Sequence, residues 1–288
     1  SRPSMGSIAS KHRGPNHLET GMPTYIRVGG IGSDGPAFLG TPYAPFGTSG
    51  PARSNMTLQT NVGRLEDRRG LLTGLDRLRR TADRKGVVEG LNAFEQQAFN
   101  LVLGKAPLAF DLKREDPRTV AKYGGGLGSS LLMARRLCEA GCGFVTMSYG
   151  GWDMHSNIES SMNGRGPVVD RAVSAFVDDV AQRGLSDRIL LVITGEFGRT
   201  PKINRNKGRD HWAPLSTLAL AGGGLRMGQT VGESDAKVYR PKSDPVTPQD
   251  LMATVFHVLG IDQGIQFVDP GGRPVYMIEG GSPIPSLI

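Results

Sequence analysis

Phe144-Val145-Thr146-Met147-Ser148, an amphipathic run from Pro167 to Gln182, and Ile189-Leu190-Leu191-Val192-Ile193 together decide the fold. The two five-residue blocks, bounded by glycines and polar turns, read as buried strands. Between them Val168, Val169, Ala172, Ala175, Phe176 and Val180 recur at three-and-four spacing, which places them on one helical face. Strand, helix, strand in this order predicts an α/β protein with three layers: a mostly parallel central sheet with helices on both faces. Ligands of such sheets sit beyond the carboxyl ends of the strands.

Outward from that unit, a helix is expected from about Ser129 to Glu139, ending at Gly141. A strand over Ser216 to Ala221 runs into Gly222-Gly223-Gly224. A last helix is announced by Thr247 as N-cap, Pro248 at the first helical position and Asp250 in the first turn, with Gly260 as its end. Toward the start, residues 1–60 are rich in Gly, Pro and Ser and hold a single short strand candidate, Thr24 to Val28. Leu65, Leu71, Leu72, Leu75 and Leu78, then Val88, Leu91, Phe94, Ala98 and Leu101, predict a helical hairpin over 64–104 that turns near Lys85-Gly86. The expected organisation is one domain over 1–288, with a loop-rich leading segment, that hairpin as an insertion, and a core from 125 to 288.

Composition narrows the function classes. Lys and Arg number 34 against 27 Asp and Glu, a net +7 that suits an anionic partner or serves solubility. Arginines 68, 69, 77, 79, 80 and 84 alternate with Glu66, Asp67, Asp76 and Asp83. That pattern fits a solvated, ion-paired helix face, and no nucleic-acid partner is expected. Cys138 and Cys142, four apart, match neither a zinc pair nor a disulfide framework and read as two buried thiols. The chain has no apolar run long enough for a membrane span. Ser1 to Asn16 lack the apolar stretch of a signal peptide and an initiator Met, so the sequence is expected to begin inside a longer precursor.

Chemistry concentrates in two loops that leave strands. In Gly150-Gly151-Trp152-Asp153-Met154-His155 a carboxylate and an imidazole stand at i and i+2, on one face of an extended backbone, where both can hold one cation. A turn-capping Asp is the plain alternative. The second loop is Thr194-Gly195-Glu196-Phe197-Gly198-Arg199-Thr200, followed by Gly208-Arg209-Asp210-His211-Trp212. Arg199, Lys202, Arg205, Lys207 and Arg209 lie between Phe197 and Asp210 with no acidic residue among them, which points either to an anionic substrate or to neutralisation by solvent and distant carboxylates.

These motifs, with Ala219-Leu220-Ala221-Gly222-Gly223-Gly224, resemble over essentially the whole chain the uncharacterised family numbered 1501 among domains of unknown function. That family in turn resembles the alkaline phosphatase, sulfatase and cofactor-independent phosphoglycerate mutase superfamily, whose members use divalent metals to hydrolyse or transfer phosphate or sulfate esters. The resemblance implies Asp153, His155, Glu196 and His211 as ligands of a divalent metal (zinc, manganese or calcium), and Asp210 as the group orienting His211. It implies Arg199, Lys202 and Arg209 as clamps on the anion of an ester substrate, small or polymeric, and an extracytoplasmic location.

Three departures stand beside it. Asp153 and His155 are two apart rather than four, and Phe197 replaces the histidine of a second metal site, which favours a single cation or oxygen ligands at any second site. The nucleophile of the superfamily is expected upstream of Ser1. A protein that keeps the fold for binding or assembly, with a degraded site, is the rival expectation.

Overall fold

The strand expected near Thr24 forms over Tyr25–Val28 (β1) and is the middle member of a parallel sheet in the computed structural model, which describes residues 2–29, 34–48 and 106–288. Its neighbours are Phe46–Gly47 (β2) and Phe144–Met147 (β3), in the register Ile26↔Phe46 and Tyr25↔Phe144. The chain divides into two compact units. Ser1–Arg114 with Arg136–Ser148 forms the first, and Glu115–Arg135 with Tyr149–Ile288 the second. The helical hairpin expected over 64–104, with its six arginines, lies outside the described residues.

The first unit holds a helix that periodicity did not announce, Met5–Arg13 (α1). Ser4 starts it, its hydroxyl accepting the Ser7 N–H. Gly6, Ser7, Ile8, Ala9 and Ser10 are all buried, so its inner face is made largely of small residues rather than the Leu or Val that mark an amphipathic helix. A Cβ at Gly6 would stand 2.4 Å from the Tyr25 ring, so the helix meets the sheet only because glycine is there. Tyr25 and Ile26 are almost wholly buried beneath it. Cys142 is buried, Cys138 half-buried, and both are free. Burial pushes the Cys138 thiol up to about 12 and that of Cys142 upward as well.

The second unit contains the rest of the expected pattern. Pro117–Tyr123 (α2) begins at Asp116, whose carboxylate accepts the Arg118 N–H, and lies against Ile158–Gln182 (α4). The helix expected from Ser129 forms over Leu127–Glu139 (α3), its last four residues counted with the first unit. The helix expected at Pro167 starts nine residues earlier. Ile158 donates its N–H to the Lys207 carbonyl at 2.9 Å, so a distant segment satisfies a helix-end donor that no local side chain caps. Pro167 is carried inside the helix.

An ion network, buried at Arg135 and Glu115 and reaching the surface at Arg183, occupies this unit. Arg135 pairs with Glu115 and, through Nε at 2.8 Å, with Asp179. Arg183 meets Glu115 at 2.8 Å and Asp179 at 2.7 Å. The Tyr123 hydroxyl donates to Asp179 at 3.0 Å, and burial together with that carboxylate pushes the phenol upward.

Leu190–Ile193 (β4) pairs antiparallel with Ala219–Gly222 (β7), Leu190 opposite Gly222 and Ile193 opposite Ala219. Parallel pairing among the described residues is confined to β1, β2 and β3. The protein is therefore a mixed α/β chain with a small parallel sheet, and the mostly parallel reading does not extend to β4 and β7. The reason lies in the connection: a parallel return needs a crossover, usually a helix, and no helix separates these two strands. Leu225, Ile284 and Leu287 form a core with Leu190, Leu220, Val231 and Val258 packed on it. Pro248–Leu259 (α5) begins as expected, with Thr247 and Asp250 exchanging side chain–backbone hydrogen bonds in a capping box. Among the described residues no helix is long and apolar enough to cross a membrane.

Candidate metal centre

β4 leaves the core at Ile193, and Gly198–Arg199 (β5) and His211–Trp212 (β6) then form a hairpin with Arg199 opposite His211. The ladder continues past the strands: Thr200 donates to the Asp210 carbonyl at 2.9 Å, and Asn204 to the Gly208 carbonyl at 2.8 Å. Arg205, Asn206 and Lys207 form the tip, closed by the Lys207 N–H on the Asn204 carbonyl at 3.0 Å, with Lys207 left-handed at φ 60°. The Asn204 side-chain oxygen accepts the N–H of Asn206 and of Gly208, both at 2.9 Å. One polar side chain thus sets the turn.

The 150–157 loop lies along this hairpin. Arg209 donates its N–H to the Met154 carbonyl at 3.0 Å, and Ser156 bridges to Lys207. A Cβ at Gly208 would come within 2.1 Å of the His155 carbonyl carbon, so the approach requires glycine. Met154 is buried while Asp153 and His155 on either side face solvent. That is the shared face the i, i+2 spacing predicts.

Three side chains converge. Asp153 Oδ1 lies 3.0 Å from His155 Nε2 and 2.8 Å from His211 Nε2, and the two imidazole nitrogens are 3.2 Å apart. Their ligand atoms all fall within 4.8 Å of one another, and all three residues are exposed. The same Asp153 oxygen accepts Arg199 Nη1 at 2.6 Å. The hydrogen bond with His211, then that from Arg199, holds the Asp153 carboxyl down at about 2. Phe197, which replaces an imidazole of the resemblance, packs its ring 4.5 Å from that of His211 and steadies it.

Of the expected ligands, Glu196 is the one outside this cluster; it stands exposed on the turn before β5. Asp210 does orient a histidine, but the histidine is His155: its Nδ1 lies 2.8 Å from Asp210 Oδ1. His211 is the next residue in an extended chain, so its side chain points away from that of Asp210, whereas the neighbouring loop brings His155 to it. The hydrogen bond with His155, then the one donated by Asn204, lowers the Asp210 carboxyl. Arg209 donates Nη1 to the Thr200 carbonyl at 3.0 Å and Arg199 donates Nη1 to Asp153, so each guanidinium is anchored by one of its five donors. Lys202 is exposed.

Asn204 was not singled out from the sequence. It donates to the His155 carbonyl at 3.1 Å and to Asp210 at 3.0 Å while shaping the tip. An Asn four residues before a Gly, in a stretch between two strands, is the signal that pointed to it. Trp152 is partly exposed beside Asp153 with its Nε1 on the Tyr149 carbonyl, and Trp212 donates to the Tyr239 carbonyl.

A carboxylate–imidazole–imidazole cluster at the end of a core strand, with a carboxylate behind one imidazole, is the kind of site that holds a cation. Over residues 1–288 the chain matches the family described as "Protein of unknown function (DUF1501)", and it belongs to that family. No curated protein and no solved structure matches it significantly.

Proposed function

We propose that the protein binds one divalent cation through Asp153, His155 and His211 and acts as a metal-dependent hydrolase or transferase on phosphate or sulfate esters. The observation that carries this reading is the mutual aim of three ligand atoms. With Nδ1–H of His155 donated to Asp210, its Nε2 presents a lone pair toward an ionised carboxylate oxygen 3.0 Å away. Two lone pairs facing one another repel unless a proton or a cation lies between them. The separations of 2.8, 3.0 and 3.2 Å approach the ~3.3 Å edge of a tetrahedron of zinc ligands.

Two imidazoles and one carboxylate suit zinc or manganese better than calcium, which prefers six to eight oxygens. Three protein ligands on an exposed face leave room for a further one, as in sites that act on substrates. When bound, the cation supplies Lewis acidity toward an ester oxygen and lowers the pKa of a coordinated hydroxyl. Asp210 fixes the tautomer and direction of His155, and Asn204 holds Asp210. Arg199 balances the charge of Asp153.

The alkaline-phosphatase-like superfamily, with its three-layer fold and an extracytoplasmic setting, is the framework in which these roles are cast; the warrant is likeness of motif order. A second reading, a fold kept for binding with no turnover, is favoured by Phe197 in the place of a second-site histidine and by Glu196 outside the cluster. Exposure of the purified protein to zinc, manganese and calcium, followed by metal analysis, tests the first reading. We expect close to one equivalent of zinc or manganese, and less than about a tenth of an equivalent of any of the three sinks it. Retention of metal without hydrolysis of aryl phosphates or aryl sulfates leaves the second.

A further inference from the structure

We propose that the tip of the β5–β6 hairpin is a polyanion-binding surface that takes an extended sulfated polysaccharide through Lys202, Arg205 and Lys207. Five cations and no acid lie between Phe197 and Asp210. Two also bond within the protein, Arg199 to Asp153 and Arg209 to the Thr200 carbonyl. The other three are exposed and meet no carboxylate, carbonyl or ring among the described residues. Like charges crowded into six residues repel, and an anion laid across them relieves that repulsion.

The surface is held ready for such a ligand. Asn204 locks the turn, and the backbone of Asn206 and Lys207 accepts from Asn157 and Ile158. The backbone therefore needs little ordering on binding, and the cost that remains is that of the three long side chains. Lys207 occupies left-handed backbone, which glycine or asparagine adopts with less strain, and it is the residue bridged to Ser156, next to His155. A cation is thus kept at a strained position beside the metal cluster.

Three charges outside that cluster exceed what one ester group can neutralise, whereas a polymer with repeated ester groups matches them. Residues 199–210 carry no aromatic side chain on which bases would stack, so a sulfated glycan fits better than a nucleic acid. The choice of an ester polymer rests on the proposed function, but the binding itself needs neither metal nor turnover.

The test measures affinity of the chelator-treated protein for a sulfated oligosaccharide of defined length across a range of salt. An oligothymidylate of equal charge is the comparison ligand. Lys202→Gln, Arg205→Gln and Lys207→Gln are combined in one variant. A control removes the same charge at exposed Lys113, Arg118 and Lys122. The hairpin variant is expected to lose about tenfold or more in affinity, and about two to three in the slope of log affinity against log salt. The control is expected to stay within about twofold, and the oligothymidylate to bind more weakly than the glycan.

Lys207→Gly alone should bind more weakly at an unchanged or raised Tm, which separates lost charge from lost fold. Equal losses in the two triple variants would show attraction by net charge alone and overturn the proposal. Absence of glycan binding by the parent protein, or equal affinity for the oligothymidylate, overturns it too. Metal analysis is unaffected by any of these results, so failure here and failure of the metal reading are distinguishable.

Discussion

Glu115, Arg135, Asp179 and Arg183 form one charged cluster of the second unit, and Asp153, His155, Asp210 and His211 form another. They differ in solvent and in arithmetic. Side-chain exposure is 6% for Glu115, 1% for Arg135 and 11% for Asp179, against 64%, 45% and 50% for Asp153, His155 and His211. Among the described residues of the buried cluster two guanidinium groups face two carboxylates, each carboxylate touched by both arginines, and these four charges sum to zero. In the exposed one a single carboxylate oxygen serves Arg199 and two histidines whose nitrogens point at each other. In the first cluster each cation has two carboxylates to face. The second aims three ligand atoms at one another on an exposed face, where we propose a cation.

Breaking the buried cluster should have the largest effect on stability. Glu115→Gln leaves Arg135 without a full counter-charge in the interior and is expected to cost about 3–5 kcal/mol, read by urea denaturation. Loss of under about 1 kcal/mol would mean that water reaches the network. In the exposed cluster Asp153→Ala, His155→Ala and His211→Ala should each abolish metal retention while shifting the urea midpoint of the metal-free protein far less than Glu115→Gln does. A large destabilisation there would erase the contrast.

Asp210→Asn sharpens the comparison, because it removes the group behind His155 without touching a ligand. Metal affinity should fall about 10- to 100-fold, measured by competition with a chromophoric chelator. Arg199→Gln acts in the opposite direction. Loss of a positive charge beside the site is expected to raise affinity about fivefold.

Acid distinguishes the clusters again. Asp153 has its carboxyl lowered to about 2, so its hydrogen bonds with His211 and Arg199 are present above the ordinary carboxylate range and lost only as the pH falls through about 2. Protons compete with a bound cation for its ligand atoms, so metal retention, followed by metal analysis, is expected to fall as the pH is lowered. Outside both clusters, Thr247→Ala removes the cap of α5 at a cost of about 1 kcal/mol by thermal unfolding, with no change in metal retention.

The difference between the clusters also explains which residues the sequence reveals. Asp153, His155 and His211 were legible because carboxylate and imidazole recur beside glycines just beyond predicted strands, a pattern that the sequence displays locally. Glu115, Arg135, Asp179 and Arg183 were not, since nothing local tells a buried Arg from a solvated one in a helix of mixed charge. The partner of Asp210 was missed for a related reason: sequence adjacency suggested His211, and the contact is made across 55 positions. α1 escaped because helix periodicity depends on large apolar residues, and its inner face is mostly Gly, Ser and Ala.

By itself the sequence determined the alternation of helix and strand from Leu127 to Leu259, the cap of α5, the family, and the types of residue at the candidate site. Those features follow from local preference and from periodicity, which a linear chain displays. Only the tertiary structure decided that β4 and β7 run antiparallel, that α4 starts at Ile158 on the Lys207 carbonyl, that His155 joins the cluster and Glu196 stays outside it, and that Arg199 and Arg209 are each anchored within the protein. Each of these depends on which distant backbone groups and charges meet, and so on loop closure and burial rather than on any preference carried by the residue alone.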